Sequence, residues 1–180
     1  MDPSKIFTDE ERLYLNSELG KGIGPEFIAY RAGPAGHRFT YIEGKTVIQL
    51  LNKFFGFNGW KTEIRGTTVD FCDITPNGQI SVGVSAIVRV TLKDGTYHED
   101  IGYGSLENGK SKAAAFEKAK KEAVTDAMKR AARMFGDAVG NCLYDKRFLQ
   151  GIQNMKAPPV SRASGCRNTE ALTQIHILSI

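Results

Sequence analysis

The chain has 180 residues, 41% hydrophobic and 24% charged, which is enough for one domain with a real core and ordinary for a soluble globular protein. The net charge of +4 is unevenly placed: residues 1–107 carry 11 basic and 14 acidic groups, residues 108–147 carry 10 and 5, and residues 148–180 carry 3 and 1, an asymmetry that suggests a phosphate-rich partner. Cys72, Cys142 and Cys166 form no CxxC or Cys/His cluster, no signal peptide opens the chain, and no apolar run approaches the ~20 residues of a membrane span; these features argue against a zinc site and a membrane protein and fit a reducing, nuclear or cytosolic setting.

Residues 1–8 read as a flexible N-terminus, closed by Thr8-Asp9-Glu10-Glu11, which has the spacing of a capping box. A short helix is expected over about 9–19, with Leu13, Leu15 and Leu19, and a second from Pro25 to Arg31. Residues 32–37 are a loop by composition. Tyr41-Ile42 is a short extended entry to a helix over about 44–55, whose buried face is Val47, Leu50, Leu51 and Phe54.

From Trp60 the period changes to two. Ile80, Val82, Val84, Ala86, Val88, Val90 and Leu92 alternate with mostly polar residues. Turn signals at Pro76-Asn77-Gly78 and Asp94-Gly95 divide the segment into three antiparallel strands, about 61–74, 79–93 and 96–103. Lys112 to Phe135 lacks Gly and Pro and is dense in strong helix formers. Phe116, Ala123, Val124, Ala127, Ala131 and Met134 share one face of it, and Lys118, Lys121, Lys129 and Arg133 share another. The fold class is therefore α+β, a three-stranded β-meander packed against a long helix, with short helices leading in. Residues 136–141 stop the helix, and one more short helix is expected over about 145–152. Residues 153–180, with Pro158-Pro159, have no usable period and read as a disordered tail.

Gly104 to Ser111 matches the phosphate-cradling GxxxxGKS pattern. The strand before it, Tyr97 to Ile101, is polar and belongs to a meander, whereas a nucleotide triphosphatase needs a central, apolar, parallel strand. A flexible strand-to-helix loop is the better reading. Glu99 and Asp100 point to opposite faces of a strand, and Glu117, Glu122 and Asp126 can pair with neighbouring Lys and Arg on the long helix. His37, His98 and His176 are isolated. No catalytic residue, metal site or cofactor site is assigned, and the chain is not expected to be an enzyme. What remains is a basic helix face with possible help from Arg31 and Tyr41, the combination of cations and flat rings that holds single strands. Phe54, Phe55, Phe57 and Trp60 are expected in the core or a subunit contact.

Several segments resemble the Rad fifty-two family of DNA single-strand annealing proteins: Gly24-Pro25-Glu26, Tyr41-Ile42-Glu43-Gly44, Phe55 to Trp60, Tyr97 to Gly104, Lys121 to Asp126, Lys129-Arg130 and Phe135 to Cys142. The resemblance covers about residues 9–152 in family order. It implies a nuclear DNA-repair protein whose DNA-binding and oligomerisation domain assembles into a ring, usually of about ten or eleven subunits. It implies single-stranded DNA binding by Arg31, Tyr41, Lys121, Lys129, Arg130 and Arg133. A second, weaker site for double-stranded DNA falls at Lys110 and Lys146, with two usual basic positions replaced by Gln79 and Gln150. The family's contacts with replication protein A and a RecA-like recombinase lie in a later region, and are not expected of this short form. The tail from about Lys156 does not resemble the family. A truncated isoform or accessory paralogue that modulates full-length rings without annealing stands as the alternative function.

Overall fold

The structure, a computed structural model, describes residues 6–33, 36, 38–152 and 155. The expectations for residues 1–5, His37, Cys166, His176 and nearly all of the tail lie outside those residues. In chain order the elements are α1 (Asp9–Leu19), a 3-10 turn (Pro25–Phe27), β1 (Ala29–Ala32), β2 (Arg38–Tyr41), α2 (Gly44–Phe55), β3 (Trp60–Ile74), β4 (Ile80–Leu92), β5 (Tyr97–Gly109), α3 (Lys112–Arg133), 3-10 turns at Asp137–Val139 and Asn141–Tyr144, and α4 (Lys146–Ile152).

The change of apolar period marks the change of architecture. Alternation along β4 places Val82, Val84, Ala86, Val88 and Val90 on one face, all buried. Each such valine contributes about 1.5–3 kcal/mol of burial free energy. β4 is the centre of an antiparallel sheet in the order β3-β4-β5, and α3 covers its valine face. The α+β meander-and-helix class is what the chain adopts.

Contact between α3 and the sheet is made by small residues. Ala115, Ala119, Ala123, Ala127 and Ala131 recur every fourth position and are all fully buried. Opposite them β5 carries Gly102 and Gly104, where a Cβ would collide with the backbone of Ala119, Ala123 and Ala127. Only glycine lets the strand and helix backbones approach so closely. The expected core face is corrected accordingly. Phe116 and Val124 are half-buried flanks, because a contact this tight leaves no room for a long side chain beneath the helix axis, and Met134, the C-cap beyond the last helical residue, is exposed.

Three further expectations change. The segment 25–31 is helical for one 3-10 turn only; Ala29–Ala32 then pairs with Arg38–Tyr41 as a hairpin, which satisfies backbone groups that a lone helical turn would leave open. β5 runs past Tyr103 to Gly109, because β4 offers it a partner as far as Ile80. The GxxxxGKS segment is therefore mostly paired strand and not a flexible loop, and its backbone is not free to wrap a phosphate. Ser111 instead caps α3, its hydroxyl accepting the Ala114 N–H at 3.4 Å. Along α1, Leu15 is buried but Leu13 is exposed.

Two cores result. A smaller one joins Ile80, Val82, Val84 and Ala86 to the first half of α3. The larger one gathers Phe7, Leu15, Ile23, Ile42, Val47, Leu50, Leu51, Phe55, Val90, Leu92, Ala131, Ala132, Val139 and Cys142 around the far end of α3. Phe55 meets Phe7 and Phe135 at centroid distances of 6.4 and 5.8 Å. Phe54 and Trp60 pack against the same cluster, whereas Phe57 is exposed. The capping box forms: the Glu11 N–H donates to Thr8 Oγ1 at 3.1 Å and the Thr8 N–H to Glu11 Oε2 at 2.9 Å. No helix among the described residues is long and apolar enough to cross a membrane.

Candidate nucleic-acid interface

The last turns of α3 run into the larger core, and other elements close round them there. The N-terminal end of α2 abuts the helix at Gly44, where a Cβ would crowd Thr125. The β1–β2 hairpin stands on one side, and the 3-10 turns after Gly136 bring Val139, Gly140, Leu143 and Tyr144 back on the other. Between them lies an open cleft of about 640 Å³. Arg31, Tyr41, Lys129, Arg130 and Arg133 all line it.

Each cation in the cleft is seated differently. The hairpin register pairs Arg31 with Phe39, which places Arg31, Phe39 and Tyr41 on one face. The Arg31 guanidinium lies 5.7 Å from the Phe39 ring centre and 6.0 Å from that of Tyr41. Lys129 Nζ also lies 6.0 Å from the Tyr41 ring, so two cations from different elements share one phenol. Arg130 Nε donates to Asp100 Oδ1 at 3.3 Å, and Arg133 Nη2 lies 3.8 Å from Asp100 Oδ2. Arg133 is further stacked on Tyr144, with 4.0 Å from guanidinium carbon to ring centre. Arg130 and Arg133 occupy the last turn of α3, where the helix dipole favours positive charge.

Three acids temper this set. Glu122 and Asp126 line the cleft, and Asp100 lies beneath it. Asp126 accepts the Tyr103 N–H at 3.4 Å. Glu117, on the outer side of the helix, pairs with Lys121 at 2.5 Å; that contact holds the Glu117 carboxyl below its usual range.

Lys121 is the expected site residue that the cleft leaves out. Its side chain is 75% exposed and pairs with Glu117 on the outer side of the helix, although the lining on α3 begins at the next residue, Glu122. Lys110 stands at the exposed end of β5 and Lys146 at the exposed start of α4, and neither lines the cleft. Gln79 is exposed at the β3–β4 turn, where its N–H donates to Thr75 Oγ1 at 3.0 Å, and Gln150 is exposed on α4. Two residues of the site escape a reading of the sequence. Tyr144 has no periodicity to announce it, since only the chain reversal at Gly136–Gly140 returns it to the helix. Asp100 is visible there only as one half of a split acidic pair. The split itself holds: Glu99 reaches Arg89 at 2.6 Å on the open face of the sheet, while Asp100 serves the helix side. Burial pushes the Cys142 thiol up, away from nucleophile chemistry. Among the described residues no three His, Cys, Asp or Glu side chains group as metal ligands would.

A three-stranded meander roofed by one helix, with a cationic and aromatic cleft at the helix end, defines the class of α+β protein. The family described as Rad52/22 family double-strand break repair protein matches residues 11–162, and the chain belongs to that family. It is 54% identical over 158 residues to the DNA repair and recombination protein mus-11 of Neurospora crassa, covering 87% of this chain and 26% of that protein. It is 52% identical over 160 residues to the DNA repair and recombination protein rad22 of Schizosaccharomyces pombe, covering 88% of this chain and 34% of that one. It is 52% identical over 159 residues to the DNA repair and recombination protein RAD52 of Saccharomyces cerevisiae, covering 88% and 34%. The chain thus spans about a quarter to a third of the length of these relatives.

Proposed function

We propose that this chain binds single-stranded DNA in the α3 cleft and promotes annealing of complementary strands, in nuclear double-strand break repair by homologous recombination and single-strand annealing. The observation that carries the reading is the convergence of Arg31, Lys129, Arg130 and Arg133 with Tyr41 in one open cleft. Cations neutralise phosphates and release counterions, while Tyr41 and Tyr144 offer flat faces to bases. The chemistry needs no cofactor and breaks no bond. A strand held extended has already given up much of its conformational freedom, so finding its complement costs less entropy.

Self-association into a ring multiplies weak contacts by valency. The open sheet face, where Phe71, Ile87, Ile101 and Tyr103 are exposed, and the part of β3 that α3 leaves uncovered, where Ile64 and Val69 are exposed, suit that role. Phe57 is a further candidate subunit contact. Lys121 extends the DNA path along the helix, and Lys110 and Lys146 form a weaker site for duplex.

The test is annealing of two complementary oligonucleotides without added nucleotide, comparing the wild type with Lys129→Glu/Arg133→Glu. Acceleration by the wild type, and none by a variant of unchanged fold and assembly, is expected. Two inert proteins would make the chain a subunit or isoform without independent activity.

A further inference from the structure

Among the described residues Asp100 is the only acid paired with Arg130 or Arg133. Its side chain is 16% exposed, against 38% for Arg130 and 22% for Arg133. It is fixed from its own strand, since Oδ1 accepts the Ile101 N–H at 2.7 Å. From that anchor one carboxylate reaches two guanidiniums that stand three residues apart on the last turn of α3.

We infer that Asp100 is a positioning residue for the DNA-binding arginines, and that single-stranded DNA binding depends on it although its charge opposes the ligand. The inference rests on the cleft being the DNA interface. An acid beneath a phosphate site acts in two ways of opposite sign. As a charge it repels phosphate, and its removal tightens binding. As a clamp it holds side chains that would otherwise swing into water and repel each other, and its removal weakens binding.

The geometry favours the clamp. Arg130 is held through Nε, and neither of its terminal nitrogens has a protein hydrogen bond among the described residues. Those two N–H₂ groups are the pair that meets a phosphate side by side. Arg133 is ion-paired with Asp100 through Nη2 at 3.8 Å, and stacking on Tyr144 sets its plane. Asp126 provides the contrast. It lines the same cleft with the same charge but pairs with no arginine among the described residues; its partner is the Tyr103 N–H.

The experiment is oligo-dT binding by fluorescence anisotropy across a salt series, on the full chain. Asp100→Asn, which keeps the shape and an acceptor for the Ile101 N–H, is expected to weaken binding about tenfold. It should also flatten the slope of log K against log salt by about 0.7 for each phosphate that is no longer neutralised. Asp126→Asn removes the same charge and is expected to tighten binding. In an Arg130→Ala/Arg133→Ala background, Asp100→Asn should change sign and tighten binding, because only its repulsion is left to remove. Arg130→Lys keeps the charge and gives up the held fork, and should match Asp100→Asn even if that variant folds poorly.

Equal or tighter binding by Asp100→Asn overturns the inference, as does an equal weakening in both backgrounds or a weakening shared by Asp126→Asn. If Arg130→Ala/Arg133→Ala itself leaves binding intact, the reading of the cleft has failed as well. Weakened binding there, with Asp100→Asn unchanged, rejects the positioning role alone.

Discussion

The two halves of α3 carry similar numbers of cations and come to different ends. The first half lies on the smaller core with only the sheet beside it, and Lys118, Lys120 and Lys121 are exposed to solvent. The second half enters the larger core, where the hairpin, α2 and the returning 3-10 turns enclose Lys129, Arg130 and Arg133. A cation surrounded by water loses most of its field within a Debye length. One held against aromatic faces in a cleft loses less and is already oriented. Enclosure, and not charge count, separates a site from a solvated face.

The sharpest way to break this comparison is to reverse charge in each half separately. Lys129→Glu/Arg133→Glu should weaken oligo-dT binding by about 100-fold or more, whereas Lys118→Glu/Lys121→Glu should cost about fivefold or less. Anisotropy at one fixed salt concentration decides it. Equal effects would make the whole helix a single uniform electrostatic surface.

The next effect lies in the fold beneath the middle of α3, where the two halves meet. Gly102→Ala forces a methyl into the backbone of α3 and should cost about 2–3 kcal/mol, measured by urea denaturation. Gly66→Ala, where nothing crowds the added carbon, should cost under about 1 kcal/mol. Tyr144→Ala should come third, weakening oligo-dT binding by about 1–2 kcal/mol with the salt slope kept, and Tyr144→Phe should retain most of the affinity. A slope change would mean that Tyr144 acts only by holding Arg133.

The smallest effect concerns the tie between α1 and the β4–β5 turn. Lys93 Nζ donates to Glu11 Oε1 and Oε2 at 3.0 and 3.1 Å, and this bond, with the Thr8 N–H, holds the Glu11 carboxyl below its ordinary 4.5. A lowered folded value gives stabilisation that is present above the ordinary value and lost as pH falls through the folded one. Protection of the α1 amides, measured relative to the intrinsic exchange rate at each pH, should therefore fall as pH drops below the ordinary glutamate value and through the lowered folded one, and Glu11→Gln should remove that pH dependence.

Much of this is legible in the sequence because it is periodic. The alternation of β4, the turn residues at Asn77-Gly78 and Asp94-Gly95, and the unbroken helix formers of α3 each fix local structure without help from the rest of the chain. Arg31, Tyr41 and the cations from Lys129 to Arg133 follow from helix spacing and from the family resemblance. What stays hidden depends on distant partners. The β1–β2 hairpin is four residues a side and exists because each side has the other. Tyr144 enters the cleft through a chain reversal. The value of Asp100 depends on which helix lies over its strand. Phe116 and Val124 depart from their expected place for a related reason: helical angle gives a face but not the depth of the contact, and depth here is set by two glycines in another element.

That alanine-on-glycine seam has one more consequence. Four residues of helix advance about 6 Å and two residues of strand about 6.7 Å, nearly the same step. Strand and helix run in opposite senses, and their contacts advance together: Gly109 by Ala115, Gly104 by Ala119 and Ala123, Gly102 by Ala123 and Ala127, Asp100 by Arg130 and Arg133, His98 by Phe135. The seam is a gauge. Its blank marks, where no side chain stands, seat the helix; its written marks, acid and imidazole, fall due at the end where the cations are. To slip the helix by one four-residue notch would still set alanine against Gly102 and Gly104 but would bring Asp126 and Lys129, or Met134 and Asp137, to Asp100, so the small residues hold the roof down while the charged end decides which notch it takes.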